Sequence, residues 1–313
     1  MIEPQPVDRR ATALMVTLCL IWGLQQVAIK VIADDIAPTM QIALRSCVAV
    51  VLVGLLIWIR REKISWVDGY WRPGILVGFL FGVEFLLVGE GLRYTTASHM
   101  AVFLYTAPIF AALGLQWRLP VERLAAVQWG GIGLAFTGIV IAFYDRGAAS
   151  DANLSAAMLF GDFLGLMAGA TWGLTTIVLR CSSLAWAPTT HTLLFQLIGA
   201  VVVLMLAAVA SDQTHIVLTP LVWASLVYQT LLIAFASLLV WFWLLRRYLA
   251  SRLGVLSFMT PLFGVFFGVW LLGEPLDVGF VAGSVLVMAG IVLVTGYQWL
   301  RQWLVSRPER MGR

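Results

Sequence analysis

Leu20-Ile21-Trp22-Gly23-Leu24-Gln25-Gln26-Val27-Ala28-Ile29-Lys30 returns 150 residues later as Ala170-Thr171-Trp172-Gly173-Leu174-Thr175-Thr176-Ile177-Val178-Leu179-Arg180. At the same offset Ala37-Pro38-Thr39 returns as Ala187-Pro188-Thr189. Farther along, Ala97-Ser98, Val102, Pro108 and Phe110 match Ala250-Ser251, Val255, Pro261 and Phe263 at an offset of 153. Gly131, Leu134 and Gly138-Ile139-Val140 match Gly283, Leu286 and Gly290-Ile291-Val292 at an offset of 152. A chain that repeats itself at a nearly fixed distance reads as two copies of one unit.

Each copy sits in a sequence too apolar for water. The chain has 313 residues, 61% hydrophobic and 12% charged, with a mean hydropathy of +0.94. A soluble domain carries about a quarter of its residues charged, so the remaining surface must face lipid. A hydrocarbon core about 30 Å thick takes about 20 helical residues to cross. Ten runs qualify: 11–33, 38–59, 71–92, 97–117, 124–144, 156–180, 187–209, 219–245, 250–272 and 277–300. They are continuously apolar, whereas barrel strands would alternate over about ten residues. The first run contains Gln25, Gln26 and Lys30 and lacks a small-residue cleavage site, so it is expected to stay as a helix. The expected fold is all-α integral membrane, with ten transmembrane helices as two inverted five-helix repeats. Inversion follows because a unit of five spans hands its successor to the opposite face, an architecture known in secondary transporters. The division reads 1–10 as an N-terminal segment, 11–145 as the first repeat, 146–155 as a connection, 156–300 as the second repeat and 301–313 as a basic tail.

Charge supplies orientation. Of the 20 basic residues, Lys30 and Arg45 lie inside spans and only Arg93 and Arg146 fall in one set of alternate loops. All the others fall on the opposite side, which is therefore expected to be cytoplasmic and to hold both termini. The net charge of +4 does not indicate nucleic acid, because the basic residues punctuate apolar runs rather than form a face. Cys19, Cys47 and Cys181 have neither CxxC spacing nor a nearby histidine, so neither a disulfide framework nor a zinc site follows. No GxSxG, HExxH or GxxxxGK[ST] pattern occurs, which argues against an enzyme and against ATP coupling. No cofactor is implied.

Ionisable groups at membrane depth are the first functional suspects, since each costs about 2.5 to 3.5 kcal/mol at a helix centre. Lys30, Arg45, Glu84 and Asp162 lie within the expected spans, Glu90 near an end and His99 at the start of the fourth. Two readings stand open. In one, Lys30, Arg45, Glu84 and Glu90 form a buried charge network, Glu84 with Arg45 and Glu90 with Lys30 or Arg93, holding the first three spans in register. In the other, Glu84 or His99 binds a substrate ammonium or a proton, and Arg45 or Lys30 meets a carboxylate. Trp22, Gln26 and Lys30 recur every four residues and so share a helix face. The candidate substrate-binding set is Trp22, Gln26, Glu84, His99, Trp172, Tyr228 and Ser257, with packing as the competing role for the tryptophans. His191 and His215, near opposite faces, read as interfacial. The glycines of the fifth and tenth spans read as helix packing. Pro108 and Pro261, at matching places in the fourth and ninth spans, read as kinks or gate elements.

These residues also carry a resemblance. Leu20-Ile21-Trp22-Gly23 with Lys30, Pro38 and Arg45, Thr95-Thr96-Ala97-Ser98 leading to Pro108, and Leu272-Gly273-Glu274-Pro275-Leu276 together resemble the drug/metabolite transporter superfamily, in its ten-helix EamA-type exporter branch. The first-half counterpart of the last motif departs from the pattern as Leu119-Pro120-Val121-Glu122-Arg123. The resemblance implies export of amino acids, aromatic and other neutral ones leading, or of related metabolites across a bacterial inner membrane. A multidrug or other metabolite facilitator is the alternative. The expected partners are a small-molecule substrate, an amino acid or metabolite, and the lipid bilayer, with no nucleic acid; a monomer is compatible with all of this.

Overall fold

A computed structural model describes residues 8–62, 69–118, 124–144, 152–248, 253 and 256–306. Among the described residues the chain is helical, with an isolated β-bridge between Ile36 and Ile216. The helices are α1 Arg9–Lys30, α2 Pro38–Ile59, α3 Trp71–Tyr94, α4 Ala97–Leu104, α5 Ala107–Arg118, α6 Ala126–Tyr144, α7 Ala152–Cys181 and α8 Thr189–Ala210. Then follow α9 Pro220–Val227, a π-helical segment Tyr228–Ser237, α10 Leu238–Arg247, α11 Met259–Leu272 and α12 Val278–Ser306. Among the described residues, eight helical stretches are long and apolar enough to cross a membrane, with α4 and α5 together making one. The shorter apolar helices Ala126–Ala142 and Met259–Leu272 stand where the fifth and ninth spans are expected. Lys63, Glu122, Arg123, Arg146, Arg252, Arg307, Arg310 and Arg313, and the repeat partners Ala250, Ser251 and Val255, lie outside the described residues.

Local chemistry explains the helix ends. Asp8 Oδ1 accepts from the Ala11 N–H at 2.7 Å, Thr96 caps His99 and Thr219 caps Val222, each satisfying an amide that the first turn leaves orphaned. Proline opens α2 and α9, where its missing N–H costs nothing. Gly273 ends α11 in the left-handed region, φ 65°. Between α4 and α5 the helix breaks at Tyr105-Thr106, because Pro108 has no N–H for the carbonyl one turn earlier; the Thr106 hydroxyl turns back to Phe103 O at 2.6 Å. A turn at Phe258, three residues before Pro261, places a matching interruption ahead of α11.

Lipid removes the hydrophobic drive between helices, so close packing must come from small residues. A Cβ at Gly199 of α8 would fall 2.1 Å from the backbone of Gly78 on α3. Gly131 of α6 abuts Gly290 of α12, and Gly138 abuts Gly283, whereas Gly130 and Gly133 face open space. Gly161, Gly165, Gly169 and Gly173 recur every turn of α7 and press against Thr95, Phe103, Thr106 and Phe110 respectively. Gly23 of α1 meets Phe263, as Gly173 meets Phe110. Large apolar side chains cover the outside, with Trp117 83% and Trp186 87% exposed near helix ends, as an aromatic belt at a lipid–water boundary requires.

Candidate functional site

Two sets of buried charges emerge, and they differ in how they are satisfied. Arg45 on α2 and Glu84 on α3 are each 4% exposed and close enough to interact electrostatically. No ion pair joins them among the described residues, and Arg45 Nη1 and Glu84 Oε2 each lack a hydrogen-bond partner. The expected direct Glu84–Arg45 pair is thus corrected: the guanidinium lies over the Phe85 ring, 4.8 Å from its centroid, held by its cation–π attraction. Tyr228, at the start of the π-helical segment, is near Arg45 and donates its hydroxyl to Ile21 O at 2.6 Å. Tyr105, buried in the break between α4 and α5, is near Glu84 and packs edge-on against Trp172 at 5.3 Å.

Other unpartnered polar atoms accompany this pair. Gln26 Oε1 on α1, Gln229 Oε1 in the π-helical segment and Thr260 Oγ1 on α11 are buried without hydrogen bonds. Gln229 spends its amide on Gln41 Oε1 at 3.1 Å and Ser225 Oγ at 3.0 Å. Thr260 stands by Tyr105 and Cys19. Orphaned buried polar atoms are costly and uncommon, and a ligand is one way to satisfy them. A surface depression of about 600 Å³ at the far end of α2, lined by Ile57, Trp58, Ile59, Arg61 and Glu62, shares none of these residues.

The second set is closed. His99 on α4 and Asp162 on α7 are both fully buried. His99 Nδ1 lies 3.1 and 3.0 Å from the two Asp162 oxygens, and its ring stacks on Phe280 of α12 at 3.6 Å. The Thr95 hydroxyl donates to Asp162. Lys30 does not reach Glu90: its ammonium donates to Leu92 O at 2.6 Å and Thr95 O at 2.5 Å. Those carbonyls end α3, where the helix dipole is negative and intrahelical donors are missing. Glu90 instead binds Arg93 at 2.6 Å, the Thr39 hydroxyl at 2.8 Å and Gln213 at 2.8 Å. Glu274, from the Leu-Gly-Glu-Pro-Leu motif, accepts the amides of Ala97 at 2.7 Å and Ser98 at 2.9 Å and the Ser98 hydroxyl at 2.6 Å, capping α4 with a full negative charge.

The remaining candidates are dispersed. Trp22 donates to Ser237 Oγ at 2.9 Å and packs edge-on against Trp241, so its indole N–H is already used. Ser257 is half-buried in the turn of helix before Phe258. Pro108 and Pro261 sit just after the two helix breaks. His191 lies 3.8 Å from Glu62, which also takes the Thr190 hydroxyl. Sequence reasoning passed over Tyr105 and Thr260; the signal was their position at the breaks that Pro108 and Pro261 create.

Known proteins bear on this arrangement. The sequence profile of the EamA-like transporter family matches twice, over residues 9–144 and 159–296. A relative in Bacillus subtilis, the uncharacterized transporter YoaV, is 26% identical over 90% of this chain and 95% of its own length. A protein of Salmonella typhimurium, described as a probable amino-acid metabolite efflux pump, is 25% identical over 96% of this chain and 100% of its own. One crystal structure superposes with a TM-score of 0.59 at 19% identity, covering 92% of this chain and 97% of that one, which speaks to the fold alone. Apolar helices that cross a bilayer many times, a doubled profile over most of the chain and relatives that are transporters rather than enzymes lead to one assignment: the chain is a multi-pass membrane protein of the EamA-like transporter family, within the drug/metabolite transporter superfamily.

Proposed function

We propose that the protein is a ten-span secondary transporter of two inverted five-helix repeats, exporting neutral and aromatic amino acids across a bacterial inner membrane by alternating access, with both termini in the cytoplasm. Reciprocal contacts support the inversion. Gly23 and Phe263 touch as their repeat partners Gly173 and Phe110 do, and Gly131–Gly290 mirrors Gly138–Gly283. A two-fold relation between halves produces such exchange of partners.

The observation that carries the substrate is the Arg45–Glu84 juxtaposition: opposite charges, buried together, each with a free polar atom and no bond between them. A zwitterion matches both, its carboxylate to the guanidinium and its ammonium to Glu84. The aromatic surfaces of Trp172, Tyr105 and Phe85 nearby suit an apolar side chain. The Salmonella relative's description as a probable amino-acid metabolite efflux pump points the same way. Purified protein in liposomes tests this. Counterflow of labelled amino acids, against panels of nucleosides and sugars, is expected to be saturable for neutral and aromatic amino acids; exchange of sugars or nucleosides alone contradicts the reading.

A further inference from the structure

We infer that His99 and Asp162 form a proton-binding site, distinct from the Arg45–Glu84 substrate site, that couples amino-acid export to proton influx; this rests on the transport reading above. The two residues come from different halves of the chain. His99 belongs to the first family match, while Asp162 and the stacking Phe280 belong to the second. Any motion that parts the halves pulls at this contact. Imidazole and carboxylate differ from other buried pairs because their proton exchanges near neutral pH.

The electrostatics make protonation and conformation interdependent. With neutral His99 donating Nδ1–H to ionised Asp162, the pair carries one negative charge; one proton bound on Nε2 makes it neutral overall. A net charge at membrane depth is expensive, so the negative pair depends on the imidazole Nδ1 staying on Asp162. If the contact opens, Asp162 and the imidazolium are left apart, each a lone buried charge, and transfer of the proton to Asp162 neutralises both. Without that proton, opening would strand Asp162 as a lone carboxylate, so the contact parts only when a proton is bound, and uptake on one side with release on the other gates the cycle.

The surroundings of the pair are fixed. From the end of α3, the Thr95 hydroxyl holds Asp162. From α1, Lys30 is tied to the carbonyls of Leu92 and Thr95. After α11, Glu274 is tied to the amides of Ala97 and Ser98. From α3, Glu90 is tied to Arg93, and Tyr94 packs on Phe160. At the start of α12, Asp277 stands one turn before Phe280. A Cβ at Gly161 would lie 2.7 Å from Thr95 N, so α7 is pressed directly on the junction of α3 and α4 and a small shift changes the His99–Asp162 distance.

The test separates coupling from transport. In liposomes with membrane potential clamped at zero, an outward proton gradient of about one pH unit, acid inside, should drive amino-acid accumulation of about tenfold for one-to-one exchange. In Asp162→Asn and His99→Gln this ratio should fall to one while counterflow at equal pH drops less than threefold. Equal losses of accumulation and counterflow would make the pair a structural tie, and full accumulation in either variant would overturn the proposal. A reading independent of any substrate uses the fact that the chain has only three histidines. In protein labelled at histidine nitrogen, the imidazole signal missing from His99→Gln should change protonation between about pH 5 and 9 and shift its midpoint in Asp162→Asn. A His99 signal fixed in one state across that range overturns the proposal, whatever the transport panel shows.

Discussion

Arg45 with Glu84 and His99 with Asp162 are both pairs of opposite character buried among membrane helices, yet one stands open and the other is tied. His99 and Asp162 meet at 3.0 Å with Thr95 and Phe280 completing the enclosure. Arg45 and Glu84 lie close without touching, and each keeps a polar atom unsatisfied. Fold stability is served by the first arrangement, whose polar groups bind one another. It does not account for the second, because a charge pair that gives up its own hydrogen bonds wastes the attraction that offsets desolvation. Unpaired charges are kept where something else arrives to pair them.

The widest divergence should be in stability. Asp162→Ala leaves the His99 imidazole and the Thr95 hydroxyl without their acceptor, and the loss of a buried partner of this kind costs about 3 to 5 kcal/mol. Glu84→Ala breaks no hydrogen bond and costs only the attraction that Arg45 loses, so it should destabilise less than Asp162→Ala. Thermal unfolding in one detergent compares them, and equal destabilisation would erase the distinction between the sites. In transport the order reverses. Glu84→Gln should fold, insert and lose about tenfold or more of its counterflow, since a factor of ten corresponds to about 1.4 kcal/mol, within the range of one charge-assisted hydrogen bond. Arg45→Lys keeps the charge but loses the planar fork, and should lower affinity by a similar factor while leaving expression intact.

Packing offers a smaller contrast. Gly199→Ala, whose Cβ would meet Gly78 at 2.1 Å, should destabilise by about 1 to 3 kcal/mol. Gly54→Ala on α2, with nothing within 4 Å, should be neutral or stabilising by about 0.5 to 1 kcal/mol. Smallest of all in transport is Trp22→Phe. The indole N–H is bonded to Ser237, so this variant should lose about 1 kcal/mol of stability and change substrate preference little. A large change in preference would bring Trp22 back to the substrate site.

Much of the fold was legible because a bilayer imposes a length. The expected span 38–59 is α2 to the residue, and 71–92 differs from Trp71–Tyr94 only at its end. Less legible was anything set by helix rotation. Arg45 and Glu84 read as a pair because their charges are complementary, and sequence does not say whether two helices turn them face to face or side by side. Glu90 read as a partner of Lys30 or Arg93, and Arg93 is the one it binds, because orphan carbonyls at the end of α3 compete for the Lys30 ammonium and carry no sequence signature of their own. Glu274 entered the sequence reading only through its motif, and the fold carries it to the first turn of α4, 176 residues before it in the chain. The glycine row from Gly161 to Gly173 was visible at four-residue spacing and escaped notice beside the denser glycines of α6. The π-helical turn at Tyr228–Ser237 has no compositional mark; what holds it are bonds from Tyr228 to α1 and from Gln229 to α2.

The central claim is that Arg45 and Glu84 together read a zwitterion. Counterflow of one labelled amino acid, phenylalanine, against excess unlabelled phenylalanine, phenethylamine or hydrocinnamate tests it in the unmodified protein, because the three differ only in which charged group they keep. Full exchange with phenylalanine and at least about tenfold weaker competition from both the amine and the acid is the predicted result. Equal competition by either single-charge analogue would contradict it.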